Sequence, residues 1–233
     1  MSGNPFSSFT TSSNLAAQRP FDGLSHVKGL STPELSTDTI GELLDKAVQK
    51  DGDREAFVFL EHKVRWTWAQ FRSDVNKAAA GLLSLGVQRG DRVGIWSPNR
   101  PEWVLVQFAT AQMGAVMVNI NPAYRVSELE YALNKVGVKA LICAQGTKAS
   151  NYFAMLKEIA PELENSAAGR LKLKRLPKLE TIVHLSDERY PGAFTFRQLM
   201  DAAGPAQSAR LPIVSQSLKC HDAINIQFTS GTT

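Results

Sequence analysis

The chain has only two cysteines, Cys143 and Cys220, too few for a disulfide framework and too far apart for a thiolate metal site. Cys143 ends the apolar run Ala140-Leu141-Ile142 and reads as a buried thiol. Cys220 precedes His221, but neighbours on a strand face opposite ways, so the pair is no catalytic dyad. A reducing compartment therefore fits better than a secreted disulfide protein. No apolar run approaches the ~20 residues of a membrane span, and no secretory signal is present. His26, His62, His184 and His221 are scattered with no two at ligand spacing, which disfavours zinc. Each is expected to be a surface or locally bonded imidazole.

The common nucleotide and nucleophile motifs are missing too. There is no G-x-x-x-x-G-K-[ST] loop, no G-x-G-x-x-G after a strand (Gly90 and Gly94 are too far apart) and no G-x-S-x-G elbow. A Walker-type ATPase, a Rossmann dehydrogenase and an α/β-hydrolase are thereby disfavoured. The net charge of +4 is mild. It permits attraction to anions such as nucleotides without arguing for nucleic-acid binding.

What is present is an alternation of helical and strand patterns. Thr39-Ile40-Gly41-Glu42 is a capping box. Ile40, Leu43, Leu44, Ala47 and Val48 then form the stripe of an amphipathic helix ending near Asp51-Gly52. Ala56–Leu60 reads as a buried strand, turned by Glu61-His62-Lys63 into Val64-Arg65-Trp66. Thr67-Trp68-Ala69-Gln70 caps a second helix with inner face Phe71, Val75, Ala78, Ala79 and Leu82, and Gly86 is its C′ residue. Arg92–Trp96 is a strand, and a helix runs from Glu102 to about Met113 with Pro101 in its first turn. Ala115–Ile120 is apolar enough for a strand covered on both faces.

Ser127-Glu128-Leu129-Glu130 is expected to cap a helix reaching about Val136. A strand at Lys139–Cys143 and a helix at about Asn151–Ile159 follow. Leu179–Leu185 reads as a strand, Phe194–Ala203 as a short helix and Ala206–Leu218 as a linker. The whole pattern predicts an α/β fold, a mostly parallel sheet with helices on both faces. It shows no internal repeat.

Three features invite functional readings that plainer ones outweigh. Between Pro161 and Pro177, Arg170, Lys172, Lys174 and Arg175 interleave with Leu171, Leu173 and Leu176. No aromatic residue accompanies them to stack a base, so a solvated connector is favoured over a nucleic-acid patch. Trp66, Trp68, Trp96 and Trp103 lie on elements that already need bulk, which favours core or domain packing over a binding platform. Arg125, after Tyr124, can meet a carboxylate or phosphate, though a structural ion pair is the commoner fate.

The most specific stretch is the last. Ile224, Ile226 and Phe228 alternate with Asn225 and Gln227, the period of a half-buried strand. Thr229, Ser230, Gly231, Thr232 and Thr233 follow as a loop of small hydroxyl residues around one glycine. Small side chains let backbone N–H groups approach a polyanion, and the hydroxyls add donors. An ordinary Ser/Thr/Gly turn is the plain alternative. The wording Phe-Thr-Ser-Gly-Thr-Thr resembles the phosphate-binding core of the adenylate-forming enzymes, which include acyl-CoA synthetases, firefly luciferase and peptide-synthetase adenylation domains. In that family the run continues into Gly, a variable residue and Pro-Lys-Gly.

The resemblance extends from about Asp38 onward. Thr67-Trp68-Ala69-Gln70-Phe71, Gly81-Leu82-Leu83, Leu85-Gly86-Val87 and Gly90-Asp91-Arg92-Val93 look like the family's early signature. Asn99, Glu102-Trp103, Gly114-Ala115 and Asn119-Ile120-Asn121-Pro122 continue it in order. Cys220–Gln227 is similar to the medium-chain acyl-CoA synthetase branch, its mitochondrial type included. A coumarate-ligase branch is a weaker alternative.

The resemblance implies a fold, the N-terminal part of the acyl-CoA synthetase large domain. Residues 38–233 would be an incomplete AMP-binding domain truncated within the phosphate loop. Residues 1–37 would be a disordered tail or a weak transit segment. The implied chemistry forms an acyl-adenylate from ATP and a fatty acid, with Mg²⁺ expected in the full-length enzyme; the CoA thiol then displaces AMP. Thr229, Ser230, Gly231, Thr232 and Thr233 would bind ATP, and no catalytic or metal residue is assigned here. The implied partners are fatty acid, ATP and CoA, without nucleic acid or a transmembrane segment. The implied location is the mitochondrial matrix, with the cytoplasm as the alternative. The chain by itself is expected to be an inactive portion of such a ligase; a truncated isoform with a binding or regulatory role is the second reading.

Overall fold

The computed structural model describes residues 32, 34–147 and 150–229. Packing divides the chain after Thr37. The described residues of the first unit, 32 and 34–37, are exposed. The expectation of a tail or transit segment otherwise lies outside the described residues.

The elements of the second unit are α1 (Ile40–Asp51), β1 (Glu55–Phe59), β2 (Val64–Thr67), α2 (Trp68–Ser84), β3 (Arg92–Trp96), α3 (Pro101–Met113), β4 (Val116–Ile120), α4 (Val126–Val136), β5 (Val138–Cys143), β6 (Gly146–Thr147), β7 (Ser150–Asn151), α5 (Tyr152–Ile159), β8 (Thr181–His184), β9 (Ala193–Thr195), α6 (Phe196–Asp201), α7 (Pro205–Gln216) and β10 (Asn225–Gln227). The main sheet runs β10-β4-β3-β5-β8-β9, and every pairing in it is parallel. The crossovers β3–α3–β4 and β4–α4–β5 travel in opposite directions, which for right-handed connections places α3 and α4 on opposite faces. Helix α2 packs on α1, α3, α6 and α7, while α4 packs on α5. The expected parallel sheet between helical layers is the observed fold.

The local causes are those of the sequence patterns. Thr39 and Thr67 cap α1 and α2 as expected. Each hydroxyl accepts from the backbone N–H three residues on, while Glu42 or Gln70 reaches back to the cap N–H. The stripe Phe71, Val75, Ala78, Ala79 and Leu82 is fully buried. Gly86 sits at φ 88°, the left-handed turn that stops α2. Strands β3, β4, β5 and β8 carry Val93, Ile95, Met117, Val118, Leu141, Ile142, Ile182 and Val183 into the core. Each such side chain contributes roughly 1.5–3 kcal/mol.

Four expectations are corrected. The stretch expected as a linker at 206–218 is helix α7, opened by Pro205 at its first position and anchored by buried Leu211. Pro212 inside it and a single buried apolar residue hide the helix from a periodicity reading. Strand β1 is half-exposed rather than buried, because it pairs only with β2 in a separate hairpin; Val58 is 43% accessible. Helix α4 starts two residues earlier than expected, with Arg125 as N-cap in place of Ser127; the Arg125 N–H is accepted by Glu128 at 2.7 Å. The short helix expected from Phe194 is preceded by β9, which pairs with β8 and shortens the helix to α6.

Gly81 marks the tightest crossing of the helical layer. A Cβ there would lie 2.1 Å from the carbonyl oxygen of Leu199 on α6. In an open helix Gly→Ala gains up to about 1 kcal/mol. Here overpacking against backbone dominates, at roughly 1–3 kcal/mol. Gly81→Ala is expected to lower the urea midpoint of unfolding; an unchanged or higher midpoint would show that α6 yields freely.

Candidate functional site

In open parallel α/β sheets, ligands bind outside the carboxyl ends of the strands. Strand β10 brings Thr229 to that end. Ile226 pairs with Val118 and Gln227 with Asn119, so Thr229 emerges beside the turn that follows β4. Thr229 is exposed there. Ser230, Gly231, Thr232 and Thr233, the rest of the expected ATP-binding set, lie outside the described residues.

The turn beside Thr229 is held from several sides. Asn121 Oδ1 accepts from the Ala123 N–H at 2.9 Å, and Asn121 O from the Tyr124 N–H at 3.0 Å. Tyr124 then packs edge-on against Phe228, with ring centroids 6.5 Å apart. From below, Trp96 at the end of β3 donates its indole N–H to Asn121 O at 3.1 Å. Tyr152, opening α5, donates its hydroxyl to Pro122 O at 2.8 Å. The two donor rings stack on each other at 3.7 Å, nearly parallel. The chain of contact runs from the central strands through Asn121–Tyr124 to the residue before Thr229. Arg125 completes the rim, donating from Nη1 to Ser150 Oγ at 2.9 Å.

Burial pushes the Tyr152 phenol up from its ordinary value, with the Cys143 thiol as a smaller cause. Cys143 itself is pushed up to about 12 by burial and is inert as a nucleophile. Tyr152 therefore works as a neutral donor at physiological pH. Asn119 Oδ1, on the residue paired with Gln227, is buried without a hydrogen-bond partner among the described residues. The Trp96–Tyr152 clamp was not foreseen. Trp96 carries only a packing signal in sequence, and Tyr152 follows an N-cap asparagine like any first-turn residue.

Tyr152→Phe keeps the stack and removes one bond to Pro122. A cost of about 1 kcal/mol is expected from unfolding in urea. A cost indistinguishable from zero would mean that water replaces the hydroxyl.

The other candidates sort plainly. Trp66, Trp68 and Trp103 are half-buried against the core, and Trp96 is fully buried, as the packing reading expects. Of the histidines, His62 and His221 are exposed and His26 lies outside the described residues. His184 is buried at the end of β8, with Nδ1 2.7 Å from Ser186 Oγ. Its pKa is lowered by burial. Among the described residues, no group of three acidic, His or Cys side chains could hold a metal ion.

The sequence model of the AMP-binding enzyme family matches residues 44–233. The chain belongs to the AMP-binding enzymes. Relatives within reach of this AMP-binding chain include the medium-chain acyl-CoA ligase ACSF2, mitochondrial, of Danio rerio, 46% identical over 209 residues, 90% of this chain and 34% of that one. The Homo sapiens protein of the same name is 46% identical over 92% of this chain and 35% of its own length. A putative acyl-CoA synthetase, YngI of Bacillus subtilis, is 37% identical over 86% of this chain and 36% of its own length. The chain thus spans about a third of the length of these relatives.

Solved structures share the AMP-binding fold at low identity. The anthranilate CoA ligase AuaEII, in complex with anthranoyl-AMP, superposes with TM-score 0.64 at 21% identity, over 88% of this chain and 35% of that one. A long-chain-fatty-acid-CoA ligase, FadD1 of Archaeoglobus fulgidus, gives 0.63 at 21% identity, over 88% of this chain and 37% of its own.

Proposed function

We propose that this chain is the N-terminal portion of a mitochondrial CoA ligase that activates a medium-chain fatty acid. The observation that carries the reading is the identity of 46% with mitochondrial medium-chain acyl-CoA ligases across nine-tenths of the chain. In the proposed reaction the fatty carboxylate attacks the α-phosphorus of ATP and pyrophosphate leaves. The CoA thiol then attacks the acyl carbonyl and AMP leaves. Negative charge grows on phosphate oxygens in the first step, and donors fixed beforehand lower that barrier because they need not reorganise. Thr229, Ser230, Gly231, Thr232 and Thr233 are the part of such a cradle in this chain. Two features of the described residues support this reading: β10 brings Thr229 to the sheet's carboxyl end, and the clamped Asn121–Tyr124 turn braces Phe228. Mg²⁺ is expected in the complete ligase. The described residues offer it no ligand set, and no step is assigned to it here.

The second reading, a non-catalytic binding or regulatory isoform, uses the same cradle without turnover. The coding sequence after Thr233 separates the two. Continuation into Gly-x-Pro-Lys-Gly supports the ligase; an immediate stop codon in the mature transcript supports the isoform.

A further inference from the structure

The structure turns the interleaved Leu/Lys stretch into a two-sided ribbon. Leu171, Leu173, Leu176 and Leu179 are buried, while Arg170, Lys172, Lys174, Arg175 and Lys178 are exposed. From Asn165 to Leu179 there are five bases and no acid. Arg170, Lys172 and Lys174 stand on one side at alternate residues, about 7 Å apart along an extended chain. Their side chains, and that of Lys178, make no ion pair or hydrogen bond among the described residues.

Of the nearby acids, Glu130 pairs with Arg175 and Glu164 with Lys157 at 2.5 Å, Glu180 lies 4.0 Å from Lys139, and half-buried Glu162 accepts the Lys174 backbone N–H at 3.4 Å. The ribbon itself carries five bases and no acid, so its exposed side is positive.

The ribbon is fixed in place. Leu171 N–H bonds to Glu180 O, Glu180 N–H to Lys139 O at 2.9 Å, and Asn134 Nδ2 donates to Arg175 O at 2.9 Å. Lys178 lies over the end of α4, where a Cβ on Gly137 would come within 3.9 Å of its Cγ. Exposed Lys135, in the last turn of α4, extends the charge. One turn back, Tyr131 is 59% accessible, an amphipathic ring suited to a headgroup layer. The ribbon feeds the start of β8 and α4 feeds the start of β5, so this face lies at the amino ends of the strands, opposite Thr229.

We propose that this basic face docks on an anionic phospholipid surface, with Arg170, Lys172, Lys174, Lys178 and Lys135 facing the headgroups and Tyr131 at their edge. Charge complementarity selects the partner: a row of unpaired, pre-positioned bases suits a plane of phosphates. Single-stranded nucleic acid would call for several stacking rings, and the ribbon has none.

Co-sedimentation of the 233-residue chain with vesicles tests the proposal. Vesicles of equal parts phosphatidylcholine and phosphatidylglycerol should carry the protein down, and pure phosphatidylcholine should not. Binding should vanish near 0.5 M salt, about where screening removes such attraction. Each base contributes roughly a fivefold gain, so R170Q/K172Q/K174Q should weaken binding at least tenfold. The charge-matched variant K50Q/K63Q/R210Q, altered at exposed bases elsewhere, should bind nearly as the parent does. Circular dichroism melts of both variants should match the parent, since every altered side chain is exposed. Equal loss in the two variants, no loss in the first, or binding to neutral vesicles would overturn the proposal. So would retention on a single-stranded oligonucleotide without vesicle binding.

Discussion

The purified 233-residue polypeptide should catalyse no ATP–pyrophosphate exchange in the presence of a medium-chain fatty acid. The reason is electrostatic. Adenylation concentrates negative charge between the attacking carboxylate and the phosphates, and removing even one preorganised donor from such a site costs roughly 10²–10³ in rate. The chain spans about a third of the length of the ligases it resembles. Donors carried by the other two-thirds are not supplied, so exchange should be indistinguishable from a blank without protein. Exchange above that blank would show that residues 1–233 suffice and that the family's later motifs are dispensable here.

The second large effect is expected at Trp96. It is fully buried at the end of a central strand, stacked on Tyr152 and bonded to Asn121 O. Trp96→Ala removes the buried ring and leaves a cavity, a loss of about 3–5 kcal/mol for such truncations. It also removes one of the two hydrogen bonds to Asn121 O and releases the floor of the turn beside Thr229. Against a typical domain stability of roughly 5–15 kcal/mol, that should leave a chain that unfolds at low urea or aggregates. Trp96→Phe keeps a ring against Tyr152 and should lose less than half as much. Urea titration followed by circular dichroism checks both. A Trp96→Ala loss below about 1 kcal/mol would mean that the clamp is not a structural pivot.

Much of this architecture is legible in the sequence. Thr39 and Thr67 announce helices because a hydroxyl cap and a Glu or Gln three residues on satisfy the same orphan amides in sequence and in space. The β4 run reads as a covered strand because both faces must be apolar between helical layers. Helix α7 was not legible, since its stability comes from Leu211 and contacts to α2 and α3 rather than from periodicity. The exposure of β1 depends on which sheet it joins, and no local pattern records that. In the site, the strand that leads to Thr229 was legible from its alternation. The clamp beneath it was not, because Trp96 and Tyr152 meet only through the parallel order of β3, β4 and β5. The ribbon at 170–178 read as a solvated connector; its leucines proved buried, and its bases other than Arg175 carry no ion pair among the described residues.

The most direct measurement compares fatty-acid-dependent ATP–pyrophosphate exchange by this chain with that by a polypeptide extended through Gly-x-Pro-Lys-Gly to the length of its relatives. Exchange by the longer polypeptide alone, lost when its Thr229–Thr233 segment is replaced by alanines, is the predicted result. Exchange that survives this replacement, or that is absent from the full-length polypeptide, would contradict the assignment of residues 229–233 to the ATP phosphates of an acyl-CoA ligase.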